Sequence, residues 1–205
     1  MADATKVSGQ LLDWTALGDM VTDTPSVDSG TLDVGEGVID TVLHIAVAHT
    51  DTNAASTNYV TVKVFTRSGA TDETWNLHAV FQAGGGTAVA EALDAESASA
   101  QANIKVAATT DWDTGLGERL FLLDASLVAS EIVAILGWAD ADYYIAADNL
   151  TNTHAATTSV LYDGLVEVPI NIPNGIRYVK AVFSNADDDA NYAVRVDYSA
   201  VSAYA

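Results

Sequence analysis

The sequence predicts an all-β protein, a sandwich or a barrel built from many short strands. Val, Ile, Thr and Tyr recur with period two in short runs, and Gly, Asp, Asn and Ser bound these runs. Hydrophobic residues make up 49% of the 205 residues and charged residues only 18%, so the chain can bury a sizeable core.

Taken in chain order, the alternating runs predict strands throughout the sequence. They cover residues 10–15, 38–49, 59–66, 75–82, 104–107, 119–123, 131–136, 143–146, 159–162, 165–172, 176–184 and 192–202. Pro169 and Pro173 in PINIP mark the strand 165–172 as an edge strand, because proline has no N–H group to donate to a neighbour.

Residues 88–102 (AVAEALDAESASAQA) are the one segment that favours a helix, being rich in Ala, Leu and Glu. Val89 and Leu93 are almost its whole apolar stripe, which leaves little surface for a helix to bury. We therefore interpret residues 87–93 as a strand that leads into a loop, with a short helix as the alternative.

Two breaks in composition predict the domain organisation. Gly84, Gly85 and Gly86 form a flexible joint, and Asp163 and Gly164 form a turn signal. The simplest organisation is a β-sandwich made from residues 1–83 and 164–205, with an inserted small β module at residues 84–163. Insertion at a surface turn is tolerated because the two chain ends lie close together there.

The formal net charge of −20, from 28 acidic and eight basic residues, predicts that the chain binds neither nucleic acid nor an anionic membrane. There are no cysteines, which excludes disulfides, zinc–thiolate sites and cysteine nucleophiles. The N-terminus lacks a basic segment followed by an apolar run, so we expect no signal peptide. No apolar stretch approaches the roughly 18–20 residues that span a bilayer.

The histidines do not predict a metal site. His44 and His49 lie five residues apart on one predicted strand and therefore point to opposite faces, while His78 is expected to face solvent or an interface.

The acidic segment DWDTGLGE offers Asp111, Asp113 and Glu118 as calcium ligands, but it lacks the third acidic ligand and the spaced Glu of an EF-hand loop. Asp140 and Asp142 alternate onto one strand face and could form half of a cation site. Calcium is thus the only cofactor that the sequence suggests, and we expect no dedicated metal site.

No catalytic or cofactor-binding residue is predicted. Glu131 and Glu167 lie within apolar runs, as a glycosidase acid would, yet alternation places Glu167 on the outward face of its strand. The nucleophile-elbow, P-loop and dinucleotide motifs are absent from the sequence. The sequence therefore predicts that the protein is not an enzyme.

The stretch GIRYVKAVFSNADDDANYAVRVDYSAV (175–201) predicts a terminal hairpin with Asp187, Asp188 and Asp189 at its solvated tip. Adjacent side chains on such a loop diverge, which is poor geometry for a metal. Three of the few cations, Arg177, Lys180 and Arg195, are expected on this hairpin as interface residues that pair acids across a subunit boundary. Local pairing of Arg195 with Asp197 is the alternative.

Three stretches resemble virion proteins of tailed phages. In residues 59–81 (YVTVKVFTRSGATDETWNLHAVF) a strand, a Ser-Gly turn and an acidic-Trp-x-Leu entry into the next strand contribute to this resemblance. Residues 119–160, with their Ser-Glu-Ile strand and DNLTNTHAATTSV ending, resemble small β modules of such proteins. The terminal Gly-Ile-Arg-Tyr-Val-Lys segment is similar to the closing strands of jelly-roll capsid cement or decoration proteins.

This resemblance implies a jelly-roll-like sandwich and a non-enzymatic protein that decorates the capsid surface. Such a protein would bind the major capsid protein as a homotrimer and would be made in the host cytoplasm. His154 is then expected to be structural, with its ring bonded to the backbone of the Asn-Leu-Thr turn. The other functional hypothesis is a receptor- or glycan-binding β module of a tail or adhesin, which predicts exposed Trp or Tyr in a concave patch.

Overall fold

The computed structural model describes residues 5–17, 26–35, 38–50, 59–69, 74–84, 88–106, 118–140, 143–185 and 192–202. Within these ranges the chain forms fifteen strands and one short 3₁₀ helix, Leu127–Ala129. The strands are β1 (Thr5–Leu17), β2 (Val27–Asp28), β3 (Leu32–Asp33), β4 (Val38–His49), β5 (Val60–Arg67), β6 (Asn76–Ala83), β7 (Ala90–Ala92), β8 (Asn103–Lys105), β9 (Glu118–Leu123), β10 (Glu131–Asp140), β11 (Tyr143–Ala146), β12 (Val160–Tyr162), β13 (Leu165–Ile172), β14 (Tyr178–Asn185) and β15 (Tyr192–Ser202). The predicted all-β class is confirmed.

The chain divides into two compact units. The first contains Met1–Val47, Thr57–Gly85 and Val166–Ala205, and the second contains Ala48–Ser56 and Gly86–Leu165. Besides residues 86–165, which nearly coincide with the predicted module 84–163, the second unit contains residues 48–56.

The first unit is a jelly roll. One sheet has the strand order β1-β15-β4-β13, and the other has the order β2-β14-β5-β6, with β3 also paired to β14. If β2 and β3 count as one broken strand, the eight sandwich strands in chain order are arranged 1-8-3-6 and 2-7-4-5. This order is that of two interlocked Greek keys, the jelly-roll topology, so the predicted jelly-roll-like sandwich is confirmed.

Alternating burial explains why these strands form a sandwich. On β5, Val60, Val62 and Val64 are fully buried, while the residues between them are not. β14 shows the same pattern, with Val179, Ala181 and Phe183 buried. Because successive side chains of a strand point to opposite faces, each sheet has one apolar inner face and one outer face.

The predicted terminal hairpin is wrong. β14 pairs with β5, β2 and β3, whereas β15 lies between β1 and β4 in the other sheet. The connection, residues 186–191, lies outside the described residues and contains the three aspartates. It is longer than the two-to-five-residue loops that usually close hairpins, and in a jelly roll the chain passes between sheets at this point.

The structure describes Pro169, predicted to mark an edge strand, and Gly84, predicted to belong to a joint between domains. The strand with Pro169, β13, is the edge of its sheet, as predicted. Gly84 has a φ of +87°, and a Cβ there would lie 2.6 Å from Cε1 of Tyr192. A positive φ and this close approach both require glycine at position 84, while Gly85 and Gly86 of the predicted joint lie outside the described residues.

The second unit contains one six-stranded sheet, in the order β7-β12-β9-β10-β11-β8. Its core is one apolar cluster: Leu93, Ile104, Val106, Leu120, Leu122, Val133, Ile135, Tyr144, Ala146, Leu150 and Leu161. The segment 88–102 contributes strand β7 and then a loop, which confirms the strand-first interpretation over the short helix. In the part of the chain that the structure describes, no helix is long and apolar enough to cross a membrane.

Candidate functional site

The outer face of the five-stranded sheet combines cations, aromatic rings and exposed aliphatic side chains. We call it the cationic face and define it by Lys63, Phe65, Arg67, Trp75, Leu77, Val80, Tyr178, Lys180 and Val182. Lys63, Phe65 and Arg67 alternate with the buried residues of β5, which places them outward. Leu77 and Val80 of β6 are 55% and 56% exposed, unusually high for large aliphatic residues.

Strand register arranges these side chains in rows across the sheet. Lys63 lies opposite Val80 on one side and Val182 on the other. Phe65 lies opposite Leu77 and Lys180 in the same way. The cations are therefore interleaved with apolar side chains, and the face contains the aromatic residues and arginine that are enriched at protein–protein interfaces.

Arg67 contacts two aromatic rings of the face. Its guanidinium lies 4.7 Å from the ring centroid of Trp75 and 4.8 Å from that of Tyr178, between the two rings. Lys180 lies 5.1 Å from the Trp75 ring. Each of these distances is within the range of a cation–π interaction, which fixes the rings in a shared stack.

Two carboxylates at the edge of the sheet pair with Lys180 and Arg177. Lys180 Nζ donates to Asp28 Oδ2 at 2.6 Å, and Arg177 Nε donates to Asp33 Oδ1 at 3.2 Å. The hydrogen bond from Arg177, helped by the Gly35 N–H group, lowers the pKa of Asp33 below its usual value. Four of the eight cations in the chain, Lys63, Arg67, Arg177 and Lys180, thus lie on or beside the cationic face.

The structure separates the three predicted interface residues. Arg177 and Lys180 lie at the cationic face, but Arg195 lies on β15 in the other sheet. Arg195 donates from Nε to Asp197 Oδ2 at 2.8 Å and from a terminal nitrogen to Oδ1 at 3.2 Å. This is the local pair that the sequence offered as the alternative.

Arg195 borders a shallow recess of about 470 Å³ on its own sheet. Its polar lining includes Ser8, Gln10, His44, Arg195, Asp197 and Ser199. Nε2 of His44 lies 3.4 Å from Oγ of Ser199, a long contact between exposed groups. Hydroxyl, amide and paired charged groups converge here beside the ring of Tyr198.

His154 is the centre of a buried polar network in the second unit. Its side chain is fully buried, with Nε2 2.7 Å from Glu131 Oε1 and Nδ1 3.3 Å from Asp124 Oδ2. Ser159 donates its hydroxyl to Asp124 at 3.0 Å. Glu131 accepts the backbone N–H groups of Thr151 and Asn152. The expectation that the His154 ring bonds the turn backbone is therefore wrong, because Glu131 holds the turn and the ring holds Glu131.

Both carboxyls of the network are stabilised in their ionised form. Burial alone would raise the pKa of Glu131, but the hydrogen bonds from His154, Thr151 and Asn152 outweigh it and lower that pKa. Burial likewise opposes ionisation of Asp124, and hydrogen bonds from Ser126 and Ser159, with the charge of His154, lower its pKa.

This network lacks the geometry of a nucleophilic triad. Ser159 donates to Asp124 and not to His154, and both ring nitrogens already contact carboxylates. Glu131 borders a cavity of about 230 Å³, but a general acid needs a raised pKa and that of Glu131 is lowered. The hydrogen bonds of Glu131, His154 and Asp124 hold the surrounding loops in place.

Only some of the acidic residues considered as cation ligands lie within the described residues. Asp111, Asp113 and Asp142 lie outside the described residues, and so do Asp187, Asp188 and Asp189. Glu118 begins β9, where its charge and that of Glu91, after burial, raise the pKa of Tyr144 to about 12. Among the residues that the structure describes, no three His, Asp or Glu side chains form a group that could hold a metal ion.

The remaining histidines and Glu167 have the predicted orientations. His44 is exposed and His49 is buried, on opposite faces of β4, and Glu167 is exposed on β13. His78 is exposed as well, and its Nε2 lies 2.9 Å from the backbone oxygen of Asn171.

The sequence did not single out Lys63, Arg67, Trp75, Leu77 or Val80 as a surface. A signal was present, since TVKVFTR alternates buried valine with two of the eight cations. What the sequence lacked was the pairing of β5 with β14, which brings Arg67 to Tyr178 and Lys180 to Phe65.

The fold and the surface define an all-β jelly-roll protein with an inserted β unit and an outer sheet face that combines cations with exposed apolar side chains. No family model matches the chain, and no curated protein matches it. Among solved structures, it is aligned with VP17, a capsid protein of bacteriophage P23-77, over 98% of this chain and 97% of that one, at 9% identity. The TM-score is 0.18, so this alignment establishes neither the fold nor the function of the chain.

Proposed function

We propose that the chain is a non-enzymatic virion structural protein, a capsid cement or decoration protein that binds and stabilises a phage shell. The observation that carries this proposal is the cationic face, on which Leu77 and Val80 are more than half exposed beside Arg67 and Lys180. A surface of this composition suits contact with another protein, and it belongs to a jelly roll, an architecture common in viral capsid domains.

The proposed partners are the major capsid protein and further copies of the chain in a homotrimer. In this role the protein adds contact area between neighbouring subunits and needs neither a cofactor nor a catalytic group. The acidic remainder of the surface faces outward from the shell and keeps the particle soluble. The inserted unit, proposed at residues 84–163, is a module separate from the sandwich.

Cosedimentation tests this function directly. Purified protein is mixed with capsids assembled without it and is centrifuged through a density cushion, with the shell-free protein as the blank. We expect saturable binding and a higher melting temperature of the decorated shell. The proposal fails if the protein does not bind the shell and is also absent from purified virions by mass spectrometry.

The second candidate function is a glycan-binding module of a tail or adhesin, which the recess beside Arg195 favours. Gln10, Asp197 and Ser199 present amide, carboxylate and hydroxyl groups of the kind that bind sugar hydroxyls. A glycan array tests this function. Retention of specific glycans that Asp197→Ala abolishes, without binding to shells, would favour this function over the first.

A further inference from the structure

We propose that the cationic face is the contact surface for a second copy of this chain, arranged head to tail. The inference deepens the proposed function, on whose homotrimer it rests, by assigning the surface and the symmetry through which copies associate. The occupant is identified by charge. The rest of the chain is strongly acidic, and a neighbouring copy therefore supplies the acidic counter-surface that the cations match.

The cationic face differs in charge from the rest of the molecule. The chain has a net charge of −20, yet four of its eight cations lie on or beside this one sheet face. Asp28 pairs with Lys180, and Asp33 pairs with Arg177. Two acidic copies repel each other over most orientations, and the approach with least repulsion presents the cationic face of one copy to the acidic surface of the other.

A symmetric contact of two cationic faces is electrostatically unfavourable. In a twofold dimer the same patch meets itself, so Lys63, Arg67 and Lys180 of one copy would lie near the same cations of the other. Such a contact buries like charges together, which disfavours it. The contact is therefore between different surfaces, and a contact of this kind closes into a ring when the rotation between copies allows it.

The contact would bury the apolar and aromatic side chains of the cationic face. Leu77, Val80 and Phe65 supply the apolar centre, and the Arg67 stack with Trp75 and Tyr178 supplies an ordered aromatic and arginine anchor. Trp, Tyr and Arg are the residues that most often dominate the affinity of protein interfaces. The anchor is preorganised by its own cation–π contacts, which reduces the entropy lost on association.

Light scattering coupled to size-exclusion chromatography measures the oligomer. Wild-type protein is expected at three times the chain mass of 21.4 kDa, about 64 kDa for a closed ring of three. The double variant Leu77→Ser, Val80→Ser is expected to associate at least about tenfold more weakly. Val128→Ser with Leu136→Ser is the matched control, since these side chains are 67% and 50% exposed elsewhere, and it is expected to keep the wild-type mass.

Charge reversal gives a second, independent variant. Lys63→Glu with Lys180→Glu is expected to dissociate the oligomer, whereas Lys6→Glu with Lys105→Glu changes the net charge equally at other places and is expected to leave it intact. Far-ultraviolet circular dichroism of each variant establishes that it is folded. A wild-type mass of one chain at high concentration, or face variants that keep the wild-type mass, would overturn the inference.

A mixing experiment distinguishes the two symmetries. In a head-to-tail contact, a charge-reversed chain keeps its acidic surface intact and still binds the cationic face of a wild-type chain. Native mass spectrometry of a tagged Lys63→Glu, Lys180→Glu variant mixed with wild type should therefore show one variant chain joined to two wild-type chains, because the variant can still bind at the end of a line of wild-type chains. A twofold contact of two cationic faces would instead pair one variant chain with one wild-type chain through opposite charges, and mixed dimers without any larger mixed oligomer would overturn the head-to-tail arrangement.

The outcomes separate this inference from the proposed function. A monomeric protein that still cosediments with shells overturns the self-contact and leaves the capsid role intact. An oligomer that depends on the cationic face but binds no shell supports the self-contact and overturns the capsid role.

Discussion

Glu131 and His154, 23 residues apart in the sequence, are joined by a 2.7 Å contact between Oε1 and Nε2. Through this contact the fully buried ring fixes a carboxylate that in turn holds the backbone of Thr151 and Asn152. Asp124 occupies the other ring nitrogen and receives the Ser159 hydroxyl. The beginning of β10, the end of β9 and the loop before β12 are thus tied together by one imidazole.

Removing the ring should destabilise the second unit. His154→Ala leaves two largely buried carboxylates without their shared partner, and we expect a loss of about 2–4 kcal/mol in the free energy of unfolding. Urea denaturation followed by circular dichroism measures it. His44→Ala, at an exposed position, is the control and should change stability by less than about 0.5 kcal/mol. Unchanged stability of His154→Ala would show that the ring has no structural role.

Acidic pH should weaken the same network, because the pKa values of its two carboxyls are lowered in the folded protein. The pKa values of Asp124 and Glu131 are lowered in the folded protein from ordinary values of 3.8 and 4.5. A lowered folded pKa contributes stability that is complete above the ordinary value and is lost as the pH falls through the folded value. The stability that these two carboxyls contribute should therefore be complete above about pH 5 and should fall below pH 4.5.

Urea unfolding at a series of pH values tests this dependence. In Asp124→Asn with Glu131→Gln the two carboxyls no longer titrate, so this variant should be less stable at pH 7 and should lose less stability on acidification. An equal acid slope in the variant and the wild type would place the titrating groups elsewhere.

The Arg67 stack should contribute to the stability of the sandwich. Arg67→Ala removes two cation–π contacts and the cover over two rings, which should cost about 1–2 kcal/mol in the free energy of unfolding. Lys63→Ala, on the same strand and face, is the control and should lie within about 0.5 kcal/mol of wild type. Equal effects from both variants would contradict a special role for the stack.

Gly164 should not tolerate a side chain. A Cβ at this position would lie 2.9 Å from both the Cβ and the backbone oxygen of His49, so a backbone segment would have to move. We expect Gly164→Ala to cost about 1–3 kcal/mol, measured by thermal or urea unfolding. Gly69→Ala, where no atom lies within 4 Å of the added carbon, is the matched control and should be close to neutral.

The sequence predicted the parts of the fold that depend on local pattern. Alternation on 192–202 identified a strand with Val194 and Val196 on its buried side, and Pro169 identified an edge strand. The alternation could not show which sheet a strand joins, because any partner with an apolar face satisfies it. For this reason β14 and β15 were predicted as one hairpin, although they lie in opposite sheets.

By itself, the sequence determined the all-β class, the buried and exposed faces of most strands and the acidic character of the surface. These properties follow from residue types and from a period of two, which act over a few neighbouring positions. The tertiary structure alone decided the jelly-roll order, the partners of His154 and the cationic face. Each of these joins residues distant in sequence, such as Arg67 with Tyr178, and their contacts exist only after the strands have paired in register.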